Sequence, residues 1–435
     1  MQFLIISIIV VVTTIGFLTE GNAAMKSLGW LPDPLGFLPE VLGLVVAILV
    51  IILGVRNRFQ FVRPGYWITF AALVVCILSG ILVNSVEPGP IFSGIRYYLR
   101  AIPLFFLPAV FLFREQQVRV QLYVLLGIAI VQLPLALYQR FETRAMGGYT
   151  GDWTSGTLVI SSIMSTYLIC CVCVLAAFYL RKKLSLTAFL SLALLILVPT
   201  MVNETKGTLI LLPLGLIVVF LLGSQAGTRI KNMIVAIGTM VVFAALFVPI
   251  YDHFIADKQA GASIADFLDQ DRTEHYLIKG SEVGETGEAR RGDGVIVPLR
   301  SLSSDPIKLV FGLGIGNVSH SQLGENFTGR YHGMYAPFLL HQFAKFVLEL
   351  GLMGTTLVLV LFWLIFRDSF VVAQNSKDTK GMLALGWTGV TAIMTIGIVY
   401  KEYAPFDSIS FLFWFYAGLI AAERVRIART SYDHR

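Results

Sequence analysis

The sequence predicts an all-α polytopic membrane protein with about 12 transmembrane helices and one large loop outside the cytoplasm. Three observations predict this fold class: a mean hydropathy of +0.76, a charged fraction of only 14%, and long apolar segments that recur along the whole chain. A segment of about 17 residues or more can cross the hydrocarbon core of a bilayer. Backbone amides and carbonyls have no water to bond inside lipid, so these segments should be helices.

Twelve apolar segments are candidates to cross the membrane. Segment 98–113 is short for a span and segment 336–366 is long. The first segment has no basic residues before it and no clear cleavage site, which favours a membrane span over a signal peptide. The segments are 3–19, 37–55, 66–85, 98–113, 119–138, 157–180, 184–202, 207–223, 231–251, 336–366, 382–400 and 408–423.

Lysine and arginine are distributed unequally between the two sides of this arrangement. The short loops after even-numbered segments, together with the C-terminal tail, hold 17 of them, and the short loops on the other side hold 7. Cytoplasmic loops carry the excess of positive charge, so both termini should be cytoplasmic. The chain then divides into helices 1–9 (1–251), an extracytoplasmic loop (252–335), helices 10–12 (336–423) and a cytoplasmic tail (424–435). The net charge of +6 is an orientation signal, which excludes a nucleic-acid-binding surface as its explanation.

The four cysteines indicate neither a disulfide-stabilised protein nor a cysteine-ligated metal site. All of them fall inside apolar segments, where we expect them to be small buried hydrophobic residues. Their positions match neither a disulfide framework nor a metal site of known spacing.

The loop 252–335 is too long for a simple connector, and long loops of this kind are usually functional or disordered. Residues 262–278 are spaced as one helical face, and 294–302 form a second apolar element. The loop is net acidic, with 12 acidic and 8 basic residues, yet Arg290, Arg291 and Arg300 lie within eleven residues. These arginines are either ordinary solvated surface or a site for a phosphate or an acidic sugar, since arginine offers bidentate donors to such groups.

The stretch DPIKLVFGLGIGN (305–317) begins with a turn signal and ends in glycines. A dinucleotide site would need a strand before these glycines and a helix after them, so a tight turn or a close backbone approach is the better interpretation. Segment 336–366 would form a helix about 46 Å long, which exceeds the bilayer core. LELGLMG (348–354) predicts a break at Gly351 or Gly354, between a helix over 335–349 and a true span, with Glu349 beside the junction.

Charged residues also lie at the ends of other apolar segments. Glu204 and Lys206 in VNETKG separate two apolar runs, where ionisable residues tend to mark a substrate path. The alternative is an interfacial ion pair that caps the eighth span. Further cations in short loops on the same side could contact lipid phosphate or glycan, whereas the aromatic residues beside them fit interface anchoring. These are Arg96, Arg100, Arg140 and Arg144, with Tyr97, Tyr98 and Trp153.

These motifs together resemble the O-antigen ligase and O-antigen polymerase superfamily. Its members carry a "dP…fGxGxGn" stretch and then "E-x-G-x-x-G" at the start of the next span, as in DPIKLVFGLGIGN and ELGLMG. Their "S-R-G" element is similar to ETKG, with Lys206 in place of the arginine. The resemblance covers most of the chain as topology and about 60 residues as motif.

The resemblance implies a function as well as a fold. It implies glycosyl transfer from an undecaprenyl-diphosphate-linked oligosaccharide at the outer face of the bacterial inner membrane, without a nucleotide sugar, metal or cofactor. Lys206 and either Arg290 or Arg291 match the family's diphosphate-binding cations. Membrane lipid, flippase and chain-length regulator proteins are the partners that it implies, and nucleic acid is not one.

The acceptor base is less closely matched. Ligases place His-Asn about nine residues before the glutamate of E-x-G, and that position is Leu340, followed by His341 and Gln342. The missing pair favours a polymerase of surface-polysaccharide repeat units over a ligase. A base must reach the acceptor hydroxyl, and the candidates are His332 first, then Glu349, with Glu204 as a base or as a partner of Lys206.

Three alternatives remain open: a ligase, a secondary transporter and a non-catalytic scaffold or receptor, whose loop should lack a concentration of cations. A ligase would transfer the lipid-linked glycan to lipid A-core or another acceptor. A secondary transporter also commonly has twelve spans, but transporters usually carry an internal repeat and a long central connection. Here the long loop follows the ninth segment, and no repeat is visible.

Overall fold

The computed structural model describes residues 1–19, 28–57, 59, 61–145, 153–158, 160–203, 205–255, 292–339 and 341–433. Within these ranges the fold is all-α and contains no strand. The predicted helix over 262–278 lies outside the described residues, as do Glu204, Arg290 and Arg291.

Ten α-helices precede the long loop in the part of the chain that the structure describes. Several begin with a proline in their first turn, where the missing N–H has no helical partner to lose. They are α1 (Gln2–Leu18), α2 (Leu38–Asn57), α3 (Pro64–Asn84), α4 (Pro88–Leu99), α5 (Ile102–Val110), α6 (Glu115–Ala145), α7 (Ser161–Leu180), α8 (Leu186–Val202), α9 (Thr208–Gly223) and α10 (Arg229–Ile255).

Six helices follow the long loop's undescribed part. Three short ones belong to the loop, and three long ones return to the bundle. They are α11 (Asp293–Leu302), α12 (Pro306–Phe311), α13 (His332–Tyr335), α14 (Gln342–Asn375), α15 (Thr379–Gly397) and α16 (Asp407–Asp433).

Seven of the described helical segments are long and apolar enough to cross a membrane, and α1, α8 and α9 are shorter apolar helices. The protein is therefore an all-α, membrane-embedded chain. Each of the twelve predicted segments contains a helix, although twelve crossings stay a prediction. Segment 98–113 is divided between the end of α4 and the nine-residue α5. At about 1.5 Å per residue, α5 is too short to cross the hydrocarbon core by itself.

The bundle has central and peripheral helices. Most of α16 is buried, and α5 and α14 pack most extensively against it. By contrast, α2, α6 and α10 have little buried surface and present large apolar side chains outward, such as Val55 and Ile230, which are 76% and 79% exposed. An apolar flank of this extent is typical of helices that face lipid.

The helices around the long loop meet at one end of the bundle, which we call the loop end. Asn84 at the end of α3 donates to the carbonyl of Gly312. The residues between α15 and α16 lie there too, because the backbone N–H of Phe343 in α14 donates to the carbonyl of Ile398. The predicted element over 294–302 is the helix α11, whereas the predicted helix over 335–349 begins only at Gln342, after a short 3-10 turn.

Candidate functional site

Residues 312–319, which we call the glycine segment, are the centre of the loop end. Gly312, Gly314 and Gly316 have φ values of 74°, 91° and 76°, a region that residues with a Cβ atom rarely occupy. The backbone also approaches its neighbours too closely for a side chain: a Cβ atom on Gly316 would lie 1.9 Å from the carbonyl oxygen of Pro90 in α4. The glycines therefore allow a close backbone approach, as the sequence predicts.

Gly351 in α14 receives the other side of the glycine segment. Its φ of 68° and ψ of −173° interrupt the helix at one of the two predicted positions. A Cβ atom there would lie 2.2 Å from the carbonyl oxygen of Val310 and 2.5 Å from the nitrogen of Gly312. The break exposes the carbonyl of Leu348, which accepts a hydrogen bond of 2.6 Å from the N–H of Leu313. Gly354, the other predicted position, remains helical. The helix is therefore interrupted at Gly351, where the glycine segment contacts it.

Glu349 of α14 binds the C-terminal end of the glycine segment. Its carboxylate is 1% exposed, and its Oε1 accepts from the hydroxyl of Ser319 at 2.7 Å and from the N–H of Val318 at 3.2 Å. The Tyr98 hydroxyl of α4 faces the same carboxylate. This burial suits a residue that fixes the position of a loop better than one that meets a bulky glycan directly.

His332 also contacts the C-terminal end of the glycine segment. Its Nδ1 lies 3.1 Å from the carbonyl oxygen of Val318. A carbonyl can only accept, so a neutral His332 carries its proton on Nδ1 and leaves Nε2 as the acceptor. The half-buried His332 ring has the exposed His320 ring 5.3 Å away. An imidazole in this tautomer can take a proton from a hydroxyl group.

Asn317 joins the glycine segment to the residues before His332. Its side-chain amide donates to the carbonyl of Leu313 at 2.9 Å, and its Oδ1 accepts from the N–H of Arg330 at 3.3 Å. The N–H of Tyr331 donates to the Asn317 carbonyl. The "n" of the FGLGIGN motif therefore has a structural role, which orients α13 and His332.

A second polar cluster lies beside Glu349, one helical turn earlier on α14. The ammonium of Lys345 forms a short ion pair with Glu402 and lies 4.3 Å from the centre of the Tyr97 ring. The Tyr97 hydroxyl donates to Glu402 and to the amide oxygen of Gln342. That oxygen also accepts from the N–H groups of Tyr403 and Ala404. Sequence reasoning missed this cluster, although a lysine four residues before Glu349 inside an apolar helix was a signal.

Lys206 lies at the loop end of α9. Its ammonium is 5.8 Å from the centre of the Tyr251 ring. Asn203 in the same motif is buried and donates to the Ser161 carbonyl and the Ser165 hydroxyl, so this residue is structural. The ring of Tyr400 packs on Gly207. Tyr400, which contacts Gly207, and Glu402, which pairs with Lys345, are two residues apart in the connection between α15 and α16. This connection therefore links Lys206 to the Lys345 cluster.

The predicted arginines have different environments. Arg96 and Arg100 both pair with Glu40, and Arg100 also pairs with Asp407 at 3.0 Å. Arg140 is 1% exposed in α6, whereas Arg300 is exposed on α11. Of the described cations predicted to bind the diphosphate, Arg300 is exposed and Lys206 is half-buried, as are the ion-paired Arg96 and Arg100.

The start of α11 lies against α14. A Cβ atom on Gly294 would lie 2.1 Å from Nδ1 of the buried His341. His341 is the residue before α14, so α11 rests on the entrance of that helix. The structure therefore brings α11, with Arg300, to the end of the bundle that holds Glu349 and Lys345.

Asp305 begins α12 and fixes the "dP" of the motif. Its carboxylate accepts from the N–H groups of Ile307 and Lys308 at 3.1 and 3.3 Å. The hydrogen bonds from Lys308 hold the pKa of Asp305 below its usual value. The motif residue is thus a helix cap that fixes where the glycine segment starts.

Taken together, the loop end offers a proton acceptor in His332, the buried carboxylate of Glu349, the half-buried carboxylate of Glu402 and several cations. The chain matches no family model and no curated protein.

Proposed function

We propose that the protein is a bacterial membrane glycosyltransferase that polymerises undecaprenyl-diphosphate-linked oligosaccharide repeat units at the outer face of the inner membrane. The observation that supports this most is the chain of contacts from Glu349 through Val318 to His332. It fixes a base-competent imidazole at the end of the bundle that also holds Lys206. General bases need such positioning.

The proposed reaction joins two repeat units. An acceptor hydroxyl attacks the anomeric carbon of the donor unit, and the bond from that carbon to the diphosphate oxygen breaks. Nε2 of His332 takes the hydroxyl proton, and the electron pair of the broken bond leaves with the lipid diphosphate. Lys206 and Arg300, with Arg290 and Arg291 next to α11 in sequence, then stabilise the charge that develops on the diphosphate.

Arg96, Arg100 and Arg140 have a smaller part in this proposal. Arg96 and Arg100 share the carboxylate of Glu40, and Arg100 also pairs with Asp407, so a diphosphate would compete with existing ion pairs. Their guanidinium groups hold α4 against α2, and α4 carries the surface on which the glycine segment rests. We therefore assign Arg96 and Arg100 to the support of the site, with Lys206 and Arg300 as the first contacts for the ligand. Arg140 is 1% exposed in α6, which is too buried for a first contact.

The two neighbouring histidines allow a matched test. The measurement is polymer yield and release of undecaprenyl diphosphate by purified full-length protein in lipid nanodiscs supplied with the lipid-linked repeat unit. His332→Gln should slow release by about a hundredfold or more. His320→Gln, which changes an exposed ring 5.3 Å away, should leave the rate near that of the parent chain.

Two outcomes would contradict the proposal. Equal rates for His332→Gln and the parent chain would remove His332 as the base. Release of undecaprenyl diphosphate that occurs only when lipid A-core is added would show transfer to that acceptor and make the protein a ligase.

A further inference from the structure

A cavity of about 220 Å³ lies within the bundle, and none of its lining residues belongs to the glycine segment. Helices α6, α7, α15 and α16 form its walls, and nearly all of its lining is aliphatic or aromatic. It is larger than the apolar cavity of about 150 Å³ that holds a benzene molecule in another protein. A ligand with a hydrocarbon chain is therefore compatible with its size and lining.

Three polar groups in the wall are without a hydrogen-bond partner among the described residues: the Trp387 indole N–H and the hydroxyls of Tyr416 and Ser408. Their side chains are at least nine-tenths buried, with Tyr416 at 0% and Trp387 at 6% exposure. The centres of the Trp387 and Tyr416 rings are 5.3 Å apart, so the two side chains are neighbours in the cavity wall. Unsatisfied buried donors are costly, and an acceptor in the cavity would satisfy them.

A cation lies at the mouth. Lys183, in the turn between α7 and α8, is exposed and also lines the cavity. Leu383 of α15 lines it as well, and Trp387 is one helical turn further along the same helix, about 6 Å deeper. A ligand that enters here meets a positive charge first, then two hydrogen-bond donors, and then apolar surface.

We propose that this cavity binds one acyl chain of an anionic glycerophospholipid. The headgroup phosphate pairs with Lys183, an ester carbonyl accepts from Trp387 and Tyr416, and the chain fills the apolar part. The ester carbonyl lies only a few bonds from the phosphate, which matches the order of groups from the mouth inward. A polyprenyl chain has no acceptor along its length and leaves both donors unsatisfied. Anionic lipid recognition by a basic residue beside transmembrane helices follows from charge attraction.

The test measures lipid retained by the full-length protein, purified in mild detergent and then incubated with phosphatidylglycerol or phosphatidylcholine of identical chains. Native mass spectrometry counts the bound lipid. The parent chain should retain phosphatidylglycerol in preference to phosphatidylcholine. Tyr416→Phe should weaken retention of both lipids about fivefold, as expected for one lost hydrogen bond. Lys183→Gln should abolish the preference for phosphatidylglycerol.

Matched variants control for indirect effects. Tyr179→Phe removes a tyrosine hydroxyl outside the cavity wall, and Lys182→Gln removes the neighbouring exposed charge that does not line it. Both should bind lipid like the parent chain. Equal retention of the two phospholipids by the parent chain would overturn the proposal. So would Tyr416→Phe with unchanged lipid and higher thermal stability, since removal of an unsatisfied hydroxyl from a cavity without ligand should stabilise the fold.

Discussion

Replacement of Gly351 by alanine is the most direct test of the site's construction. The added Cβ atom would lie 2.2 Å from the carbonyl oxygen and 2.4 Å from the carbonyl carbon of Val310. Both are backbone atoms, so no side-chain rotation relieves the contact. The φ of 68° and ψ of −173° at Gly351 are also a conformation that alanine rarely adopts.

The expected cost has two parts. Backbone strain at such a residue is about 1–3 kcal/mol. To reach ordinary contact, the Val310 carbonyl must also retreat by roughly 1 Å, and the glycine segment must move with it. That shift strains the hydrogen bonds of Glu349 to Val318 and Ser319 and displaces His332. A displacement of about 1 Å in a catalytic group can lower a rate about a hundredfold.

The assay compares Gly351→Ala with Gly127→Ala at matched protein levels, by thermal unfolding in detergent and by polymer formation. Gly127 is an exposed α6 residue with open space where its Cβ atom would lie, so alanine there should be neutral or slightly stabilising. Gly351→Ala should unfold at a lower temperature and lose most of its activity. If it matches Gly127→Ala in both measurements, the glycine segment does not depend on its contact with α14, and the reasoning fails.

Three further predictions concern charged residues at the loop end. Lys206→Met should lower polymer formation by about a hundredfold, equivalent to roughly 3 kcal/mol in the transition state, while Lys206→Arg retains it. Near-normal turnover by the Met variant would remove Lys206 from the proposed reaction. Glu349→Gln should keep most of the activity, because its amide oxygen still accepts from the Val318 N–H and the Ser319 hydroxyl. Glu349→Ala should lose the activity. An inactive Glu349→Gln variant of normal stability would instead make Glu349 the base. Lys345→Met should lower the free energy of unfolding by about 3–5 kcal/mol because it leaves Glu402 without its cation. The double variant Lys345→Met with Glu402→Gln removes both charges and should unfold at a temperature closer to that of the parent chain. A double variant as unstable as Lys345→Met would show that the pair acts through packing.

The helices were predictable because hydropathy is a local property of the sequence. The break in α14 was also predictable, since a helix over 336–366 is too long for the bilayer and LELGLMG offers two glycines. Which glycine breaks the helix was not predictable. The answer depends on Val310, which lies 41 residues before Gly351 in the chain and packs on it only in the fold.

The ion-pair partners of the charged residues at the site could not be predicted from the sequence. Arg96 and Arg100 have the composition expected for phosphate contacts, but their partner Glu40 lies 56 and 60 residues earlier. Lys345 and Glu402 are 57 residues apart, on a helix and in a connection. Spacing rules describe neighbours on one helix, and they do not specify which helix ends meet across a bundle.

The loop end uses two kinds of contact, and the difference bears on the proposed reaction. Gly80, Gly94 and Gly351 receive the glycine segment through backbone atoms. Such contacts have no side-chain rotamers, so they fix the position of His332 closely, as a proton acceptor requires. Arg300 and Lys206 are long, partly or fully exposed side chains that can follow a ligand. A polymerase must hold the reacting hydroxyl in one place while the attached glycan grows, so a rigid base with adaptable cations is the division of roles that this reaction requires.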